Sequence, residues 1–541
     1  MQKKEKPISK RKLKKEEQAA KLAAAMAEIS SNLPEKLKDA YPHARMKKRR
    51  FILHIGPTNS GKTYTALQRF REAEHAVYLA PLRLLALEIY ENTNKLNVPC
   101  SLLTGEEEDF VTGATHISET IEMANMVQQY DVAVIDEAQM ISDETRGGGW
   151  TAAILGLNAD EIHICMAPHA ESIITKLIQY CGDEIVDIQR TERLTPLTDD
   201  KSNFQFPNDV QPGDALIVFS RRSVVSCSAE LQEYGIQCSM IYGALPYETR
   251  KAETERFLNK ETQVVVATDA IGMGLNLPIK RVIFMETEKF DGYEVRMLRP
   301  EEIHQIAGRA GRKGIYDQGF YTARSGKRFI RSSMKERPDD IVFARIRFPQ
   351  ALINVEDKLS TTMKRWAMLE LEPMFLRSDM AQELQLCQWL EHFTSNKELI
   401  YKLINIPFDI ENESQLTLWQ ELSSEVLEKG YVNLAKHILP DSLHAKNMDT
   451  NRRVKQLESD YQTYDLLHNF VRLFGHIDSI ADDKEEIRIR KKEISKELTK
   501  ILKEKKLSRR QCPECGKVLP FNYKFGICQN CYNARRYGGW E

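Results

Sequence analysis

Phe51-Ile-Leu-His-Ile-Gly-Pro-Thr-Asn-Ser-Gly-Lys-Thr-Tyr-Thr65 is the stretch from which the rest of the chain is read. The apolar run from Phe51 to Ile55 reads as a buried strand that breaks at Gly56, and a helical pattern extends through Phe70. Between them stands G-x-x-x-x-G-K-T, Gly56 to Thr63, a phosphate-binding (Walker A) loop with the strand before it and the helix after it that its mechanism requires. Gly56 and Gly61 let the backbone curl so that N–H groups point inward at phosphate oxygens, with Pro57, Thr58, Asn59, Ser60 and Tyr64 completing the cradle. The helix N-terminus adds positive potential. Lys62 is expected to reach the β/γ-phosphates, and the Thr63 hydroxyl to hold Mg²⁺. A Gly-rich turn without chemistry would explain neither the Lys-Thr pair nor the flanks, so the chain is expected to bind a nucleoside triphosphate.

Outward from this loop, 541 residues with 42% apolar content suffice for several hydrophobic cores. The net charge of −1 hides an uneven distribution. Residues 1–50 carry 16 Lys/Arg against 6 Asp/Glu, and residues 482–541 carry 16 against 9. Basic ends around an acidic body suggest a polyanionic partner, with solvated terminal helices as the bland alternative. No apolar run approaches 18 residues, so no membrane span is expected. The Lys-rich beginning has no apolar core of a secretory signal, and Glu5, Glu16 and Glu17 argue against a transit peptide. Cys100, Cys165, Cys181, Cys227, Cys238 and Cys387 are scattered without pairing logic, as in a reducing cytosol. A cytoplasmic protein is therefore expected.

Residues 1–48 read as a mobile basic arm with one Ala-rich helix around Glu16–Ile29. Strands then alternate with helices, the sign of a parallel sheet with crossovers. The runs Ala76–Ala80, Val132–Ile135 and Ile162–Met166 are short and β-rich, as expected of strands buried on both faces. A Pro- and Asp-containing segment from Thr191 to Asp214 reads as a linker. A second alternating set follows at Ala215–Phe219, Cys238–Tyr242, Val264–Ala267, Arg281–Met285 and Gly319–Thr322. From about Asp340 to Lys506 the spacing is amphipathic and helical, with no further β rhythm. The expected division is 1–48 arm, 49–195 first α/β domain, 196–335 second α/β domain, 336–507 helical domain and 508–541 a Cys-rich module.

The run Val132–Ile135 ends in Asp136-Glu137-Ala138-Gln139, two acids at the edge of a strand where open α/β sheets bind ligands. Asp136 is expected to hold Mg²⁺, and Glu137 to orient and deprotonate the attacking water. In the second unit, Gln305-Ile-Ala-Gly-Arg309-Ala-Gly-Arg312 places two arginines three apart on one helical face. Such arginines stabilise charge on a transferred phosphoryl group, with a rate effect of about 10³–10⁵. They act only when both units close on one nucleotide, so binding becomes closure and hydrolysis becomes opening. Lys62, Asp136, Glu137, Gln305, Arg309 and Arg312 are the candidate catalytic residues.

With these residues in order, the chain resembles a superfamily 2 helicase of the DExH class, and most closely the mitochondrial-degradosome (suppressor-of-Var) RNA helicase family and its bacterial relatives. The resemblance is carried by the phosphate loop, Ala80-Pro-Leu-Arg-Leu-Leu-Ala86, Leu102-Leu-Thr-Gly-Glu-Glu107, Asp136-Glu-Ala-Gln-Met140, Arg193-Leu-Thr-Pro-Leu197, Tyr242-Gly-Ala-Leu-Pro246, Ala267-Thr-Asp-Ala-Ile-Gly-Met-Gly-Leu-Asn-Leu277 and the arginine motif. It implies two tandem RecA-like parallel-sheet domains, ATP in their cleft, and RNA lying across both, with movement 3′→5′ and DNA tolerated. Pro81, Arg83, Thr104, Gly105 and Thr120 would contact the strand backbone from the first domain. Ser220, Arg221, Gly243 and Thr268 would do so from the second, while Asp269 and Gly272 would couple that grip to the nucleotide. Hydroxyls and loop-tip donors that clamp phosphates without reading bases make binding sequence-tolerant. The resemblance also suggests cooperation with an exoribonuclease. The expected activity is ATP-driven RNA unwinding or translocation; a nucleotide-switched RNA or ribosome clamp and a DNA helicase are the alternatives.

The chain departs from the family at Cys165-Met-Ala-Pro-His-Ala170, where a Gly-acidic pair usually links hydrolysis to strand separation. Near the other end, Cys512-Pro-Glu-Cys515 and Cys528-Gln-Asn-Cys531 form two C-x-x-C pairs, suited to a tetrahedral Zn²⁺ with four thiolates and no open position. Gly516 gives turn flexibility behind the first pair. Arg509, Arg510, Lys517, Lys524, Arg535 and Arg536 interleave with Tyr523, Phe525, Tyr532 and Tyr537, a mixture suited to stacking on single-stranded bases.

Overall fold

Phe51–Ile55 lies in the strand β1 (Arg50–Ile55), one place in from the edge of an eight-stranded sheet in the computed structural model of the chain. The structure describes residues 21, 23–105, 107–272, 277–292, 294–438, 449–504, 507, 509, 511–521, 523 and 525–537. The first sheet also contains β2 (Ala76–Ala80), β3 (Cys100–Leu103), β4 (Glu108–Asp109), β5 (His116–Thr120), β6 (Tyr130–Ile135), β7 (Ala159–Met166) and β8 (Glu184–Arg190), in the order β4-β3-β5-β2-β6-β7-β1-β8. Every pairing is parallel except the antiparallel β3–β4 edge. Alternate residues of the central strands serve two cores, as the period-2 pleat requires. Val77, Leu79, Ala133 and Ile135 face one, while Ala76, Tyr78, Ala80, Val132 and Val134 face the other.

The second sheet has β9 (Leu197–Asp199), β10 (Asp214–Ile217), β11 (Cys238–Ile241), β12 (Val264–Ala267), β13 (Arg281–Phe284) and, beyond a separate antiparallel hairpin of β14 (Glu288–Phe290) and β15 (Val295–Met297), β16 (Gly319–Ala323). Its order is β11-β12-β10-β13-β16-β9, parallel throughout. Two RecA-like lobes are thus present. The segment expected to be a linker contains β9, which closes the edge of the second sheet beside β16. β8 was not foreseen either; its residues are mostly exposed, so it lacks the apolar signature of its neighbours.

Residues 344 onward are mainly helical, with one departure: Ala344–Ile346 and Phe375–Arg377 pair as short parallel strands. Two 25-residue helices, Thr450–Phe474 and Ile480–Glu504, pack together and bridge the lobes. Lys484 pairs with Glu108 of the first lobe at 3.1 Å, and the Thr249 hydroxyl of the second donates to the Ser495 carbonyl at 3.2 Å.

The N-terminal segment is no free arm where it is described. Ile29 and Ala44 are fully buried. Arg49 donates to Asp183 and to the carbonyls of Ile154 and Leu157, and Arg45 reaches Asp183 and the Leu155 carbonyl. These charges are neutralised within the first lobe, so they are not available to a polyanion. The part of the Ala-rich helix before residue 21 lies outside the described residues.

Candidate nucleotide site and strand channel

The phosphate loop leaves β1 at Gly56 and returns as the helix Lys62–Glu72. Gly61 sits at φ +83°, a left-handed conformation in which a side chain would be strained. Lys62, although charged, is buried. The loop lines a cavity of about 210 Å³ whose walls hold Thr58 to Tyr64, Asp136 and Glu137 from the first lobe and Arg309 and Arg312 from the second. The lobes approach closely here: a Cβ on Gly308 would stand 2.8 Å from that of Thr58.

Asp136 is fixed on all sides. Its carboxylate accepts from the Thr63 hydroxyl at 3.2 Å, the Tyr78 hydroxyl at 2.8 Å and the Glu137 N–H at 2.8 Å. The Trp150 indole N–H donates to its carbonyl at 2.9 Å. Burial, and then the Glu137 charge, raise its pKa to about 6. Glu137 has a left-handed backbone, φ 47°, a strained conformation of the kind that gathers at reactive sites. Burial works against its ionisation, but Lys62, then Arg309 and Gln139, hold its carboxyl below the ordinary range. Thr63 and Asp136, side by side, are a hard oxygen pair of the kind Mg²⁺ takes alongside phosphate oxygens.

Gln139 joins this site to the segment that departs from the family. Its amide donates to the Glu137 carboxylate, and its oxygen accepts from the Ala167 N–H at 3.0 Å. The Ile341 N–H in turn donates to the His169 carbonyl at 2.9 Å. Gln139 thus contacts both Glu137 and the segment 165–170, where positions 168 and 169 hold Pro and His instead of an acidic residue.

Arg309 donates through Nε to the Gly272 carbonyl at 3.0 Å and also through Nη2. Two expected nucleotide residues lie elsewhere. Gln305 and Asp269 line a second, larger cavity, where Asp269 pairs with Lys289 at 3.0 Å. The helix Pro300–Ala307 ends before Gly308, so Gln305 and Arg309 leave it towards different cavities although they are four residues apart. Sequence reasoning also missed Arg193, quoted only as part of a motif. Its Nη1 donates to Gly308 O at 2.6 Å and Thr58 O at 3.2 Å, its Nε to Thr195 O at 2.8 Å, and its Nη2 to Ala310 O. Asn59 adds a bond to the Gly311 carbonyl at 2.6 Å.

The larger cavity, about 1090 Å³, runs between the lobes and the helical region. Arg83, Ser220, Arg221, Gly243 and Thr268 line it. Four other expected strand contacts are not among its walls. Thr104 is held by its hydroxyl in a turn with Glu107, the Pro81 carbonyl accepts from Arg146 at 2.5 Å, Thr120 is buried, and Gly105 lies on the same loop as Thr104. Ser220 Oγ accepts from the Ser223 N–H at 2.9 Å and so caps the helix Arg221–Glu233.

The four C-terminal cysteines converge, with all sulfurs within 4.8 Å of one another. The Cys528 N–H donates to Cys512 Sγ at 3.3 Å, which lowers that thiol to about 6. Four thiols at this spacing fit a tetrahedral zinc site. The module is docked on the second lobe: the Phe521 ring lies 5.5 Å from Phe206 and 4.9 Å beneath Arg324, and Arg509 pairs with Glu230 and Glu233. Arg509 is thereby spent on protein and not on a nucleic-acid surface. Arg510 and Lys524 lie outside the described residues. Phe525 and Tyr532 are exposed. Among the described residues, no helix is long and apolar enough to cross a membrane.

Comparison with known proteins follows the same division. The pattern of the DEXQ-box helicase domain of Suv3 matches residues 37–190, and that of the helicase conserved C-terminal domain matches 202–314. The chain is 37% identical over 441 residues to the mitochondrial DExH-box ATP-dependent RNA helicase DExH16 of Arabidopsis thaliana, spanning 79% of this chain and 76% of that protein. The mitochondrial ATP-dependent RNA helicase SUV3 of Oryza sativa subsp. japonica is 37% identical over 440 residues, 79% of this chain and 75% of its own. The mitochondrial SUPV3L1 of Gallus gallus is 45% identical over 296 residues, 52% of this chain and 37% of its own. All three are named as mitochondrial, which overturns the cytoplasmic placement expected above and points to mitochondria. Scattered thiols report a reducing milieu, not the compartment that holds it.

Proposed function

Because the chain belongs to the SUV3 family of ATP-dependent RNA helicases, we propose that it hydrolyses one ATP at a time between its two lobes and uses the cycle to move 3′→5′ along RNA. The observation that carries this reading is the single cavity shared by Lys62 and Glu137 of one lobe and Arg309 and Arg312 of the other. Lys62 binds the β/γ-phosphates. Glu137, held ionised beside Lys62, orients the attacking water and takes its proton. Arg309 and Arg312 meet the charge that develops on the γ-phosphoryl group. Thr63 and Asp136 would hold Mg²⁺, which would supply charge neutralisation on the phosphate oxygens. Release of the γ-phosphate removes the anion between the lobes and lets them part.

RNA lies in the larger cavity, with Arg83 and Arg221 on its phosphates. Cys512, Cys515, Cys528 and Cys531 would hold Zn²⁺, which would stabilise the fold of the terminal module against the second lobe. The test is ATP hydrolysis with RNA or DNA as activator. RNA is expected to stimulate more strongly, and Arg309→Ala to abolish stimulated turnover while ATP still binds. Equal stimulation by DNA would point to a DNA-directed motor.

A further inference from the structure

The helix Thr450–Phe474 lies against the strand channel, and one turn of it touches both lobes. Its N-terminus is capped by Asp449, whose side chain accepts from the Asn451 and Arg452 N–H groups. Glu458 and Tyr461, three apart, share a face. The Tyr461 hydroxyl accepts from Arg83 Nη2 of the first lobe at 3.4 Å. The Glu458 carboxylate accepts from Arg221 Nε of the second lobe on one oxygen and from the Tyr242 hydroxyl on the other.

Two details fix what this arrangement does. Arg221 and Tyr242 form part of the channel wall, whereas the Glu458 side chain, 5% exposed, stands behind them. Its carboxylate therefore supports the arginine from the rear and does not occupy the place of a phosphate. The Arg221 side chain, 28% exposed, keeps part of its guanidinium open to the channel. A guanidinium held through Nε keeps further N–H donors in its fork for an anionic acceptor such as a phosphate.

We propose that Glu458 is a positioning residue for RNA binding: it takes Arg221 by Nε, while Tyr242 fixes its other oxygen, and so holds the exposed edge of the guanidinium towards a strand phosphate. The helical region is then part of the second lobe's grip, and its docking determines whether Arg221 is aimed. This rests on the channel reading proposed above.

Affinity for a single-stranded RNA oligonucleotide, measured by fluorescence anisotropy over a range of salt, tests it in full-length protein. Arg221→Ala is expected to weaken binding about tenfold and reduce the salt slope by about one. Glu458→Gln is expected to weaken binding to a similar degree and reduce the slope likewise. The double variant is expected to be no weaker than Arg221→Ala alone, since both changes remove one contact. Tyr242→Phe, which deletes only a hydroxyl, is expected to weaken binding about threefold and provides the test should Glu458→Gln not fold. Wild-type or tighter binding by Glu458→Gln, or additive losses in the double variant, would overturn the inference and leave the channel reading standing. Wild-type binding by Arg221→Ala would overturn both.

Discussion

Arg193 Nη1 stands 2.6 Å from the carbonyl of Gly308, so a side chain between the two sheets holds the turn that aims Arg309. The same guanidinium reaches the Thr58 carbonyl in the phosphate loop at 3.2 Å. Among the described residues it meets four carbonyls and no carboxylate, and its pKa is drawn down to about 10, first by burial and then by Arg309. Its role is geometric: it registers the phosphate loop of one lobe against the arginine motif of the other.

Arg193→Lys keeps the charge but loses the planar fork that spans these carbonyls. It is expected to lower the ATP turnover rate by about 10²-fold, the cost of misplacing a catalytic group by roughly an ångström. ATP affinity is expected to change far less. Steady-state kinetics together with nucleotide-binding titration distinguish the two effects, and an equal loss in both would indicate a collapsed loop instead.

Glu137→Gln and Arg309→Ala are expected to retain ATP and lose turnover by about 10³-fold or more. Glu137 is held ionised by Lys62 and Arg309, and Arg309 reaches the Gly272 carbonyl across the cavity from it. Single-turnover hydrolysis with bound ATP is the direct readout. Near-normal hydrolysis in either variant would remove that residue from the chemistry.

The nucleotide loop was legible because its residues act through local spacing: Gly56, Gly61, Lys62 and Thr63 carry their chemistry within eight positions. The same holds for Asp136 and Glu137. What escaped was long-range. Nothing in the sequence around Arg193 announces Gly308, and nothing around Glu458 announces Arg221. Gln305 and Asp269 were misplaced because spacing along the chain does not show where a helix ends in space. Polar edge strands such as β8 lack the apolar alternation that marks a strand, and the basic N-terminal segment hides the partner of Arg45 and Arg49, Asp183, far along the chain.

Acid is expected to loosen the first lobe. His54, on β1 just before the phosphate loop, has its Nε2 2.7 Å from His163 Nδ1, an arrangement that needs one of these nitrogens unprotonated. Burial, and then the His163 beside it, push His54 from the ordinary 6.5 down to about 4. As pH falls from 6.5 towards 4 the unfolded chain takes up this proton before the folded one, so stability present above that window is lost within it. Thermal unfolding between pH 7 and pH 5 should show the decline. It should be shallower in His54→Gln, and an identical slope in the variant would assign the acid sensitivity elsewhere.

Elemental analysis of purified protein is expected to show stoichiometric zinc, lost in Cys512→Ser/Cys515→Ser. With the module unfolded, the pairs from Arg509 to Glu230 and Glu233 should open. Protease digestion is then expected to cut beyond residue 504 in the variant and spare the wild type. Zinc-free wild type would refute the site.

ATP-driven displacement of a strand from a tailed RNA duplex tests the central claim most directly, because it requires the shared cavity and the channel to act as one machine. Wild type is expected to displace the strand of a 3′-tailed duplex with ATP, and not with a non-hydrolysable analogue. Arg309→Ala is expected to bind the same duplex and displace nothing. RNA-stimulated hydrolysis by the wild type without any displacement would contradict the account, leaving a nucleotide-switched clamp in its place.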